Sequence, residues 1–193
     1  MKLSLWLAIA FLFFNTSFAQ FNLPDFNKEQ AKINKTGFLV LGSWSAANII
    51  SGLALQGNAG GQTKYFHQMN LLWGSVNLLI AGSGYLGASR KTGSLSYGQS
   101  LKQQSRVEKT FLFNAGLDIA YMTAGAWFIE KGNSNSNPAR YKGYGKSILL
   151  QGGFLLLFDA VMYGTHNHHG KKLYQVLNGL QIAPNSVGFH ASL

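Results

Sequence analysis

The sequence predicts an all-α membrane protein: a four-helix transmembrane bundle with a short C-terminal β-hairpin. Three observations lead there. Charged residues make up 11% of the chain and hydrophobic residues 47%, whereas a soluble domain carries about 25% charge. The apolar residues gather into four stretches of about 20, the length that crosses about 30 Å of hydrocarbon as a helix. Those stretches are continuous rather than alternating, as in Ile148-Leu-Leu and Phe154-Leu-Leu-Leu-Phe158. An outer-membrane strand of about 10 residues needs alternation instead.

Taken in order, Met1 and Lys2 precede an apolar run from Leu3 to Phe14, and small residues follow at Ser17 and Ala19. This is the layout of a secretory signal peptide over 1–19, too short for a span. It delivers the rest of the chain to the cell inner (cytoplasmic) membrane. Residues 20–36 are polar, with Pro24 and three lysines, and read as an extramembrane loop or short surface helix. The transmembrane domain covers 37–176, with spans at 37–56, 65–88, 107–130 and 146–165. Helices suit them because lipid offers the backbone no hydrogen-bond partners. The Gly-rich connection at 57–64 implies an antiparallel pair. Residues 89–106 are basic, and Ser100 is placed to cap a helix running into the third span. Asn133-Ser-Asn-Ser-Asn-Pro138 marks a loop within 132–145. Residues 177–193 read as two short strands around Pro184, a hairpin that needs a surface to pack on.

The formal net charge is +10. Between apolar stretches such charge points to anionic lipid headgroups rather than nucleic acid. The absence of cysteine excludes disulfides, thiol chemistry and Cys-ligated metal sites. Orientation rests on two rules that disagree. A cleaved leader puts residue 20 and the C-terminus outside, but this leaves more Lys and Arg outside than inside, against the positive-inside rule. The leader is the more specific signal.

Polar residues inside spans carry the functional question, because an ionisable group costs roughly 2.5–3.5 kcal/mol there. Asp118 and Asp159 lie inside the third and fourth spans, and Asn48 and Asn77 in the middle of the first two. Since adjacent helices run antiparallel, all four fall within about one and a half turns of depth and can meet in the interior. Asn114 sits one turn before Asp118. Tyr121 and Met122 follow Asp118 as Tyr163 and Met162 follow Asp159. Three readings compete: interhelical glue, helped by small residues such as Gly42, Gly74, Ala81 and Ala124, a proton or cation path, or a polar ligand pocket. His166, His168 and His169 follow the fourth span as a possible metal site, weighed against a solvated interfacial cluster. No phosphate loop or nucleophile elbow appears, and no cofactor is expected.

Four phrases carry a resemblance: Phe66-His-Gln-Met-Asn70, Trp73-Gly-Ser-Val-Asn77-Leu, Asn114-Ala-Gly-Leu-Asp118 and Gln151-Gly-Gly-Phe-Leu-Leu-Leu-Phe-Asp159. They resemble a family of small bacterial membrane proteins known only as a domain of unknown function. The resemblance implies a four-helix membrane domain behind a signal peptide, and no activity. The expectation is a non-enzymatic accessory or scaffold protein that contacts membrane lipids, a membrane-protein partner or further copies of itself. The alternative is a small proton- or cation-coupled transporter using Asp118 and Asp159.

Overall fold

The computed structural model describes residues 21–90, 95–178, 180–183 and 186–189. The leader at 1–19, residues 91–94 of the basic stretch, and His190 lie outside them. Four long helices make the fold: α1 Leu23–Gln56, α2 Gly61–Arg90, α3 Tyr97–Lys131 and α4 Pro138–Asn178.

Their ends follow local chemistry. Asn22 caps α1 by accepting from the Asp25 amide at 3.3 Å, and Pro24 sits in the first turn, where its missing N–H costs nothing. Gly61, at φ +55°, opens α2 in the left-handed region that glycine enters without strain. Ser96 and Gln99 form a reciprocal capping box at the start of α3. Ser96, rather than the expected Ser100, is therefore the cap. A 3-10 turn, Gly132–Ser134, ends α3, and Pro138 opens α4, so the loop expected over 132–145 is shorter than its sequence suggested.

Close approaches fix the helix directions. Gly42 faces Ala81 and Gly52 faces Leu71, so α1 and α2 are antiparallel. Gly125 faces Gly145 and Leu149, and Gly152 faces Asp118 and Met122, so α3 and α4 are antiparallel too. The α1–α2 and α3–α4 pairs then join through α2 against α4. Gly145 and Gly125 let two backbones touch: a Cβ on Gly145 would meet the Gly125 carbonyl at 2.6 Å. A small apolar core of Leu41, Ala81 and Leu155 holds Trp73, Phe154 and Phe158 against it.

The expected fold class needs correction. Among the described residues three helices, not four, are long and apolar enough to cross a membrane by length and composition: α1, α2 and α4. Asn114, Asp118 and Tyr121 lower the apolarity of α3. The C-terminal β-hairpin is also no part of the fold, whose body is all helical. Leu180–Ala183 and Ser186–Phe189 pair only with one another as a two-stranded ladder, Leu180 opposite Phe189. Such a ladder is marginal by itself. Residues 23–36 are not a loop either. They are the first turns of α1, which runs unbroken for 34 residues, about 51 Å. The helices thus extend well beyond the predicted spans at the end that holds the N-terminus of α1 and the C-terminus of α4.

Candidate functional site: the polar interior

Polar side chains fill much of the bundle's interior, in three layers. The deepest is an amide network. Trp44 Nε1 donates to Gln151 Oε1 at 2.8 Å, and Gln151 Nε2 donates to Asn48 Oδ1 at 2.7 Å and Asn70 Oδ1 at 3.1 Å. Ser147 donates to Asn70 Oδ1 at 2.5 Å, and Asn48 Nδ2 returns to the Trp44 carbonyl at 2.8 Å. One glutamine therefore ties α4 to α1 and α2. Gln151 is fully buried, and its partners meet the cost that an unpaired buried amide would carry.

The middle layer is a carboxyl pair. Asp118 on α3 and Asp159 on α4 are 3% and 4% exposed and lie beside one another. Asp118 Oδ2 and Asn77 Nδ2 are buried without a hydrogen-bond partner among the described residues.

The third layer lies beyond the predicted spans. Ser100 donates to Asn27 Oδ1 at 2.9 Å, and Gln30 Nε2 to Gln104 Oε1 at 2.6 Å, which binds parallel helices α1 and α3. Gln104 Nε2 reaches the His166 carbonyl at 2.6 Å and Glu108 at 2.8 Å. His166 Nε2 meets Asn34 Oδ1 at 3.0 Å. An amide oxygen can only accept, so Nε2 carries the hydrogen. The His166 ring stacks on Phe111, centroids 5.6 Å apart. His169 stacks on Phe26 at 4.1 Å and donates through Nε2 to the Phe26 carbonyl at 3.1 Å. Burial keeps His169 below its ordinary range, an effect partly offset by Glu29. Glu29 itself is held low by the hydrogen bond from Lys172, at 3.0 Å. Burial, with Glu108 beside it, pushes the Tyr174 phenol up to about 12.

The expected polar cluster therefore divides. Asp118 and Asp159 come together, but Asn48 joins Gln151 instead. Tyr121 turns its ring edge to Trp73, with centroids 5.0 Å apart. Asn114 and Tyr163 are half-buried, without a side-chain hydrogen bond among the described residues. The three histidines do not converge as a metal site would require. His166 and His169 spend Nε2 on Asn34 and Phe26, His168 is exposed, and no metal-holding group of His, Asp or Glu occurs among the described residues. The residues that sequence reading missed are Gln30, Asn70, Gln104, Ser147 and Gln151. Their signal was spacing: Asn27, Gln30 and Asn34 lie on one face of α1, as do Ser100, Gln104 and Glu108 on α3.

A family model described as a family of unknown function (DUF6992) matches residues 40–160. The matched region holds both the amide network and the carboxyl pair. Neither the curated proteins nor the solved structures include a match.

Proposed function

This chain belongs to DUF6992, a family of unknown function, and we propose that it is a multi-pass protein of the cytoplasmic (inner) membrane that acts by contact rather than catalysis. It would serve as an accessory or scaffold for anionic lipid, a membrane-protein partner or further copies of itself. One observation carries the reading: polar groups of the interior are spent on each other across helices, while the outward faces at the same depth are apolar. Exposed residues include Ile50 at 66%, Leu79 at 75%, Phe113 at 67% and Leu157 at 66%. They fall on all four helices. In water such a girdle far exceeds what a monomer leaves exposed; in lipid it is the normal outer surface. Phe113, Leu117 and Ile119 support α3 as a fourth span despite Asp118, whose side chain is buried against α4. The interior bonds then act as glue between helices, each worth about 0.6 kcal/mol in a membrane.

The double variant Asp118→Asn, Asp159→Asn tests this. An asparagine pair retains donors and acceptors, so assembly in the membrane and recovery of co-purifying partners should persist. Loss of the partners or of the cellular phenotype from a correctly assembled variant would refute the glue reading. A second reading is favoured by two buried carboxyl groups side by side, with Asp118 Oδ2 left without a hydrogen-bond partner among the described residues: a small proton- or cation-coupled transporter working as an oligomer. Reconstituted vesicles that show no pH-dependent flux would count against it.

A further inference from the structure

Where α1, the end of α2 and the start of α3 diverge, they enclose a cavity of about 480 Å³. Its walls differ in chemistry. Phe38 of α1 and Gly84 of α2 form an apolar side, and α3 presents Gln99, Lys102 and Arg106 from one face. Asn34 completes the polar side. Among the described residues no carboxylate lines it. Lys102 and Arg106 are exposed and form no ion pair among the described residues.

The hydrogen bonds around the cavity free amide donors at Gln99 and Asn34, while Gln103 spends its NH₂ on Gln30 and keeps its oxygen. Gln99 Oε1 accepts from the Ser96 amide at 2.9 Å, which frees its NH₂. Asn34 Oδ1 is engaged by His166, which frees the Asn34 NH₂. Two cations and two amide donors outweigh the amide oxygen of Gln103 and form a site for an anion.

Depth distinguishes among anions. Residues 31–34 and 99–106 lie just beyond the predicted spans, whereas Phe38 and Gly84 lie just within them. The site therefore sits at headgroup level with its apolar side toward the hydrocarbon. A second hollow of about 430 Å³ lies along α3 and runs from Lys102, Arg106 and Lys109 to Phe113 in the lipid-facing girdle. A free anion has no use for the apolar wall of Phe38 and Gly84 or for Phe113, but an acyl chain does.

We propose that this corner binds the headgroup of an anionic lipid, with Lys102 and Arg106 on its phosphate and its acyl chain running along α3 past Phe113. The inference deepens the proposed lipid contact and rests on the chain's being embedded in a bilayer.

The test uses the full chain reconstituted with phosphatidylglycerol in phosphatidylcholine, and native mass spectrometry to measure retained phosphatidylglycerol. Lys102→Gln, Arg106→Gln should weaken retention about tenfold or more, since each cation near an anionic headgroup contributes about 1 kcal/mol. Lys28→Gln, Lys171→Gln removes the same charge at the same end outside the cavity and should leave retention unchanged. Equal loss in both variants, or loss in neither, would overturn the site. Displacement of the lipid by millimolar inorganic phosphate would assign the site to a free anion and overturn the lipid. Flotation with pure phosphatidylcholine vesicles checks embedding separately: failure there defeats the membrane reading, whereas flotation without selective retention defeats only the site.

Discussion

Gln151 on α4 donates through Nε2 to Asn48 on α1 at 2.7 Å, and the same nitrogen reaches Asn70 on α2 at 3.1 Å. A buried glutamine thus joins three helices whose outward leucines are exposed.

Gln151→Leu removes that joint while keeping the volume. Trp44 Nε1 and Asn48 Oδ1 then lose their partner, and unpaired buried groups cost about 1–3 kcal/mol in total, less where other groups adjust. Reversible unfolding in mixed micelles should show that loss. A variant as stable as the parent would mean the network contributes nothing.

Gly145→Val separates backbone packing from polar glue. Its Cβ would stand 2.6 Å from the Gly125 carbonyl and 2.9 Å from the Ile129 amide, so α3 and α4 must part. A Cβ added at Gly153 would meet nothing within 4 Å, and Gly153→Val serves as the control. Thermal melting should place Gly145→Val below the control by about 1–3 kcal/mol. Equal melting would show that the close approach is not needed.

Acid should loosen the end of the bundle beyond the spans. Burial lowers His169 in the folded state, so between that value and its ordinary 6.5 the unfolded chain binds the extra proton. The stability this neutral ring supports is complete above 6.5 and falls as pH drops below it. Glu29, also lowered, adds a loss of the same sign further down, as pH falls through its folded value below 4.5. That second loss is small because Glu29 is half exposed. Hydrogen exchange at amides 23–30 and 166–174 should speed up below pH 6.5. His169→Gln should flatten the first step, and an unaltered profile in that variant would exclude His169 as its source.

Much of the interior is legible in the sequence, for identifiable reasons. The common depth of Asp118 and Asp159 follows from their positions in antiparallel spans. Helical periodicity places Trp44 and Asn48 on one face, and both enter the amide network. The partner of Asn48 is less legible. By depth Asn77 matches Asn48 and Asn70 lies about 10 Å further along α2, yet Gln151 bridges Asn48 to Asn70. The extension of α1 below residue 37 was hidden because Asn27, Gln30 and Asn34 look like surface residues. Asn27 and Gln30 are buried because α3 offers Ser100 and Gln104 at matching positions, a match that only the packed helices reveal. The weak apolarity of α3 has the same origin: Asp118 lowers its average while pointing inward.

The central claim, that all four helices stand in lipid around a polar interior, is tested most directly on α3. The chain has no cysteine, so Phe113→Cys supplies a unique thiol. In intact membranes, its labelling by a water-soluble maleimide should be far slower than that of Lys102→Cys, with fast labelling restored on unfolding in detergent. Labelling of Phe113→Cys as fast as Lys102→Cys would place this face of α3 in water and contradict the account.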